Sequence, residues 1–217
     1  MSVQFAPQEL SRKYDRFARW YDLVEGIPDL LGVRRLRQRI LQQASGKVLE
    51  VAAGTGKNLR YYSKTCQITA LDLSRAMLDI ACKRAEPLAL RISFLVADGE
   101  TLPFSDKSFD TVVSSLTVCT FPNPVVVLQE MARVCRSQGR ILLLEHGRSD
   151  RKWLGRWQDR RADHHARQLG CHWNREPLEL VREVGLKVNK AQQVFFGIFH
   201  QIEAEPGPAL IRESRGG

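Results

Sequence analysis

No CxxC pair occurs anywhere in the 217 residues. The cysteines, Cys66, Cys82, Cys119, Cys135 and Cys171, are odd in number and irregularly spaced, which argues against a disulfide framework and for reduced, mostly buried thiols. With no paired ligand spacing, no metal site is expected. Apolar runs stay well short of the roughly 20 residues that a membrane-spanning helix needs. The N-terminal stretch "MSVQFAPQELSRKYDRF" has no apolar centre of the kind a secretory signal carries. These absences point to a cytoplasmic protein. Internal repeats and low-complexity blocks are missing too, and the length suits a single domain.

The hydrophobic content of 43% and charged content of 26% are those of an ordinary globular chain. The formal net charge of +9 is unevenly placed. Residues 151–167, "RKWLGRWQDRRADHHAR", set six Arg or Lys against two Asp, with Trp153 and Trp157 one helical turn apart. Such a segment suits an anionic membrane surface, nucleic-acid phosphates or an acidic substrate, and equally a solvated helix face.

Residues 8–44 read as two helical pieces broken near "EGIPD" by Gly26 and Pro28. The second piece spaces Leu30, Val33, Leu36, Ile40 and Leu41 along one side, with arginines mainly between them. From residue 47 strands and helices alternate. "KVLEVAA", "QITALDL", "RISFLVAD", "FDTVVSSL" and "GRILLLEHG" read as strands. "NLRYYSK", "SRAMLDIACKRA" with Ser74 as N-cap, and "PVVVLQEMARVCR" read as helices. This order predicts an α/β fold, a parallel sheet with helices on both faces. After a helical "REPLELVREVG", the extended "LKVNKAQQ" and "VFFGIFHQIE" predict a terminal antiparallel hairpin, and "EPGPALIRESRGG" a frayed tail. The expected division is a helical lid over 1–44, a Rossmann-like core over 45–202 and a tail over 203–217.

The stretch "KVLEVAAGTGKNLRYY" turns on Gly54 and Gly56 between a strand and helix-like sequence. A P-loop would need glycine at Val51 and Ser or Thr at Asn58, so triphosphate binding is excluded. A dinucleotide fingerprint would need a third glycine at Leu59. What strengthens the turn is an acid at each successive strand end. Glu50 precedes the glycines and suits the organisation of the turn or a methionine amine. Asp72 suits the hydroxyls of a ribose, and Asp98, beside Gly99, suits the exocyclic amine of an adenine. The constellation suits a nucleoside with a charged, phosphate-free tail, the form of S-adenosylmethionine.

From residue 14 to residue 202 the sequence resembles the class I S-adenosylmethionine-dependent methyltransferases. The resemblance is carried by "VLEVAAGTG", "ITALDLSRAML", "VADGETLPFSDKSFDTVVSS" and "EMARVCRSQGRILLLEH". It implies a seven-stranded sheet with an antiparallel terminal hairpin and S-adenosylmethionine as cofactor. Besides Glu50, Gly54, Gly56, Asp72, Asp98 and Gly99, it assigns Ala52, Asn58, Leu73, Met77 and Ser115 to the cofactor site. The chain looks most like the branch of quinone-biosynthesis C-methyltransferases, bacterial phospholipid N-methyltransferases and membrane-associated thiol methyltransferases. "YDRFARWYDLVEG" is similar to the N-terminal lid of that branch, which assigns Tyr14 and Tyr21 to closure over the cofactor. The family usually carries glycine where this chain has Ala52. The added methyl group is tolerated there if φ stays negative, and it stands to crowd the methionine moiety.

Glu145 and His146 end the fifth strand and point to opposite sides, and His146 is the candidate proton acceptor. His164, His165 and His172 lie on the segment expected to cover the substrate pocket; their spacing permits a metal site, but they read better as surface residues. Cys119, just after the fourth strand, could face the substrate but reads better as a buried structural thiol. The Arg-rich helix, the basic Trp segment and "VFFGIF" favour a small lipophilic acceptor, a phospholipid amine or quinone precursor, met at an anionic membrane surface. The alternative is a soluble acceptor such as a thiol. An RNA-directed enzyme or a non-enzymatic binding module ranks lower, because no RNA-binding module or stacking platform is apparent. Nothing in the sequence reports the oligomeric state.

Overall fold

The computed structural model describes residue 6, residues 8–16, residue 18 and residues 32–207. Tyr21, the "EGIPD" break and residues 208–217 of the expected tail lie outside the described residues. Helix α1 covers residues 8–16 and α2 Arg34–Leu41. Then follow β1 (Lys47–Val51), β2 (Gln67–Asp72), α3 (Arg75–Ala85), β3 (Arg91–Val96), β4 (Phe109–Ser115), α4 (Pro124–Val134) and β5 (Cys135–His146). Helices α5 (Lys152–Leu169) and α6 (Pro177–Glu183) precede β6 (Lys187–Val194) and β7 (Phe199–Glu205).

The strands form one seven-stranded sheet in the order β3-β2-β1-β4-β5-β7-β6. The first five are parallel, and β7 runs antiparallel to both β5 and β6, which is the expected hairpin. Alternation along the central strands divides the core in two. Leu49, Val112, Ile141 and Leu143 face α4 and α6, whereas Val48, Val113, Leu142 and Leu144 face α2. All of these are essentially inaccessible, as expected for strands covered on both sides.

Strand order reverses between β1 and β4, so their connections leave on opposite faces and open a crevice at the carboxyl ends. Helix α3 starts at that edge, capped by the Ser74 side chain, which accepts the Met77 N–H.

The sequence expectation fails in detail at several places. "NLRYYSK" forms only a 3-10 turn over Leu59–Tyr61, because Tyr62 turns extended and sends its hydroxyl to Glu50. "VFFGIFHQIE" is not one extended run: β6 ends at Val194, and a turn carries Phe195 and Phe196 before β7 begins at Phe199. Strand β7 also passes residue 202, pairing Glu203 and Ala204 with Leu142 and Ile141. On α2, Arg37 lies on the buried side rather than between the apolar positions. Among the described residues no helix is long and apolar enough to cross a membrane.

Candidate functional site

The crevice holds a cleft lined by the ends of β1, β2, β3 and β4 and roofed by α1. Asp72 closes β2, buried, and both its oxygens are engaged. Oδ2 accepts the Gly54 N–H at 2.8 Å and Oδ1 the Ser74 N–H at 2.8 Å. One carboxylate thus fixes the glycine turn and the start of α3, and each oxygen keeps a lone pair for the cleft. Burial raises its pKa to about 6, against the pull of those two backbone donors.

Gly54 has φ +56°, and a side chain added there would meet open space in the cleft. Gly56, φ +76°, has a different purpose: a Cβ there would press on Leu59 and Ala81, so it allows the turn to sit against α3. Ala52 lines the cleft at φ +55°. The condition of a negative φ is therefore not met, and Ala52 occupies the left-handed region that favours glycine. Asp98 follows β3 and accepts the Glu100 N–H at 2.9 Å, with Gly99 beside it.

Helix α1 is tied across this edge at both sides. Ser11 Oγ donates to the Leu73 carbonyl at 3.2 Å, and Asp15 accepts from Ser74 Oγ at 2.5 Å and from the Ala76 N–H at 3.3 Å. Lys13 Nζ donates to the Arg167 carbonyl near the end of α5 at 2.9 Å. Tyr14 hangs from α1 into the cleft, where burial raises its hydroxyl pKa well above the ordinary range.

Of the residues assigned from sequence, Tyr14, Ala52, Gly54, Asp72, Leu73, Met77, Asp98 and Gly99 come together on the cleft wall. Glu50, Asn58 and Ser115 are gathered elsewhere, in a polar network behind the turn. Asn58 Nδ2 and the Tyr62 hydroxyl donate to the two oxygens of Glu50 at 2.7 and 2.9 Å. Arg37 then donates to Asn58 Oδ1 and Ser115 Oγ, each at 2.9 Å. The sequence could not reveal this network, because Arg37 reaches the turn only through the packing of α2. Burial raises the Glu50 pKa to about 7, partly offset by these donors.

A second cavity of about 620 Å³ adjoins the cleft and shares Tyr14, Leu116 and Thr120 with it. Its walls are largely apolar and aromatic. Trp173 stacks on His165 at 4.1 Å and meets Trp157 at 5.0 Å, and Leu154 and Phe199 complete the apolar surface. His165 is therefore a wall residue, held by a 2.9 Å hydrogen bond between Nδ1 and the Cys171 carbonyl. His164 is exposed, as expected.

His146 faces this second cavity, with Cys171 Sγ 3.3 Å from its Nε2. Its neighbour Glu145 points the other way and is fully buried. Glu145 accepts from Ser114 Oγ at 2.7 Å and from the Thr117 and Val118 N–H groups at 2.9 and 3.1 Å. It thereby fixes the loop after β4, where Leu116 at φ +60° and Cys119 enter the cavity wall. Cys119 is buried as expected, and its Sγ lies within 4.8 Å of a ring nitrogen of His146 and the Sγ of Cys171.

Among the described residues lining the cleft, Asp72 and Asp98 supply negative charge and no Lys, Arg or His is present. That donor set repels a pyrophosphate and fits a nucleoside whose tail is cationic. The glycine turn leaves room for it, and the carboxylates can accept from ribose and adenine.

A methyltransferase-domain profile matches residues 49–143. The chain is 29% identical over 209 residues to the mitochondrial methyltransferase OMS1 of Saccharomyces cerevisiae, covering 88% of this chain and 43% of that protein. It is 36% identical over 144 residues to a phosphatidylethanolamine N-methyltransferase of Cereibacter sphaeroides, covering 65% of this chain and 70% of that one. A demethylmenaquinone methyltransferase of Thermotoga maritima is 36% identical over 141 residues, covering 62% and 60%. The chain thus spans less than two thirds of the length of the yeast and Thermotoga proteins. A solved S-adenosylmethionine-dependent methyltransferase from Aquifex aeolicus shares the fold, with a TM-score of 0.61 at 17% identity over 93% of this chain and 98% of that one. With the acids at its strand ends, the glycine turn and these relatives taken together, the chain belongs to the class I S-adenosylmethionine-dependent methyltransferases, in the branch that contains the quinone-biosynthesis and phospholipid N-methyltransferases, and S-adenosylmethionine is its cofactor.

Proposed function

We propose that the protein transfers a methyl group to a small lipophilic acceptor, a phospholipid amine or a quinone precursor, taken up at an anionic membrane surface. One observation carries this reading: an apolar, aromatic cavity adjoins the cofactor cleft, and its wall includes side chains that reach the surface. Trp157 and Leu169 line it and remain 45% and 42% exposed. Trp153, on the same helix, is 68% exposed, and Phe196 in the β6–β7 turn is 63% exposed. Exposed Lys152, Arg156, Arg160, Arg161 and Arg167 accompany them on α5. Cationic side chains with exposed Trp and Phe suit an anionic interface. The names of the phosphatidylethanolamine and demethylmenaquinone relatives point the same way.

When bound, S-adenosylmethionine supplies an electrophilic methyl group on a sulfonium. The chain contributes position and dryness. Asp72 and Asp98 orient the nucleoside, and Tyr14 on α1 closes the cleft from above. Tyr14, Leu116 and Thr120, shared by the two cavities, mark where acceptor and methyl meet. The stacked wall of Trp157, Trp173 and His165 suits a planar ring or an acyl chain. In the metal-free protein, His146, on the acceptor side, takes the proton that an amine or ring hydroxyl loses. The sheet and its helices carry the chemistry and α1 governs access, whereas α2, also within the expected lid, packs on the sheet.

The test is a single-turnover assay that counts S-adenosylhomocysteine formed with three acceptors. These are phosphatidylethanolamine in vesicles, a demethylated quinone in detergent, and a short water-soluble thiol. Turnover with either lipophilic acceptor well above the thiol supports the proposal. Turnover with the thiol alone overturns it.

A further inference from the structure

Cys119, His146 and Cys171 come from three separate stretches of chain: the loop after β4, the end of β5 and the loop after α5. Their ligand atoms nevertheless lie within 4.8 Å of one another, and all three residues line the acceptor cavity. The two cysteine-bearing loops are stitched together by contacts that do not involve the thiols. The His172 N–H donates to the Cys119 carbonyl at 2.8 Å, and Arg175 donates to the carbonyls of Val118 and Phe121. Glu145 holds the first loop from below through the Thr117 and Val118 N–H groups. The left-handed Gly170 ends α5 immediately before Cys171. Packing alone does not require two thiols and an imidazole to converge on a cavity wall from three directions.

We propose that Cys119, Cys171 and His146 form a Cys2His zinc site in the wall of the acceptor cavity. Tetrahedral zinc, bound at about 2.3 Å to sulfur and about 2.05 Å to nitrogen, holds S···S pairs about 3.8 Å apart and S···N pairs about 3.5 Å apart. Cys171 and His146, at 3.3 Å, already match that spacing. The other separations, none above 4.8 Å, need to close by about 1 Å for the two sulfurs and about 1.3 Å for Cys119 and His146 at most, a side-chain adjustment. Binding replaces both thiol protons, which pass to solvent, with bonds to the metal, and the two thiolates neutralise the divalent charge.

Three protein ligands leave a fourth position, and because all three line the cavity, that position opens into it. Such an open position is the pattern of a reactive zinc rather than a structural one. A filled site also occupies the imidazole lone pair, so His146 in the metal-loaded protein is a ligand and not a proton acceptor. The site does not rest on the methyl-transfer reading, since its residues and its test are independent of the cofactor.

The experiment uses the full chain, reduced, freed of metal by a chelator, and titrated with Co2+ and then Zn2+. The expected result is one Co2+ per chain with a thiolate-to-cobalt charge-transfer band, displaced by one equivalent of Zn2+. Cys119→Ser, Cys171→Ser and His146→Asn should each weaken Co2+ binding at least tenfold, and each serine variant should diminish the band. Cys82→Ser, on α3 outside this cavity, should leave it intact. Cooperative thermal melting of each variant separates loss of the site from loss of the fold. Absence of the band in the folded wild-type protein, or a band unchanged in both folded serine variants, would overturn the proposal.

Discussion

Asp72 accepts the backbone N–H of Gly54 at 2.8 Å, across 18 residues of sequence, so the acid at the end of β2 directly holds the glycine turn that follows β1. Two structural features that face one ligand are thereby locked to each other before the ligand arrives. Asp72→Asn replaces one acceptor oxygen by a donor, leaving either Gly54 or Ser74 unpaired. Stability should fall by about 1–3 kcal/mol, the range for losing a charged acceptor. S-adenosylhomocysteine affinity should fall at least tenfold. Calorimetric titration and denaturant melts check both, and unchanged affinity would remove Asp72 from the site.

Ala52 bears a side chain at φ +55°, where an L-residue costs about 1 kcal/mol relative to glycine. Ala52→Gly should therefore stabilise the protein by up to about 1 kcal/mol. It should also tighten S-adenosylhomocysteine binding, because the methyl group removed is on the cleft wall. Urea midpoints and titration on the same preparation report the two effects. Weaker binding in the glycine variant would mean that the methyl group makes a useful contact.

Burial raises the Glu50 carboxyl from its ordinary 4.5 to about 7. Between those values the folded protein keeps a proton that the unfolded chain has lost. This group's favourable contribution is thus complete below pH 4.5, declines as pH rises, and is gone above about pH 7. Glutamine does not titrate, and its amide can still accept from Asn58 and donate to the Tyr62 oxygen. Stability measured as wild type minus Glu50→Gln should therefore fall by up to about 3 kcal/mol across that window. A flat difference would show that Glu50 ionises normally.

Asp15 joins α1 to the first turn of α3 through Ser74 and Ala76. In Asp15→Ala, amides of residues 8–16 should exchange with deuterium severalfold faster while those of β1 and β5 keep their protection. S-adenosylhomocysteine affinity should drop severalfold, because Ser11 and Tyr14 travel with the helix. Unchanged exchange would mean that the Ser11 and Lys13 contacts hold the lid alone.

The sheet was legible because its code is local. "VLEV", "TALD" and "ILLLE" are strands by composition, the turn after β1 is punctuated by glycines, and the start of α3 is marked by Ser74. The cleft acids were legible for the same reason, as each sits at a strand end. Long-range features were not. The sequence put Asn58 and Ser115 at the cofactor, whereas Arg37, arriving on α2, gathers them behind the turn with Glu50. His165 read as a surface residue because the stacking of Trp173 on it depends on how the loop after α5 folds back. Cys119 and Cys171 are 52 residues apart, so no spacing rule could join them. The helical reading of "NLRYYSK" failed because a buried carboxylate recruits Tyr62 more strongly than local propensity favours a helix.

The most direct test of the central claim is the fate of the methyl group. Purified protein is incubated with methyl-labelled S-adenosylmethionine and a membrane-containing cell extract, and the products are divided into organic, small aqueous and macromolecular fractions. The proposed function predicts label in the organic fraction, reduced when Trp157 is replaced by a charged residue. Label confined to the aqueous or macromolecular fractions would contradict it.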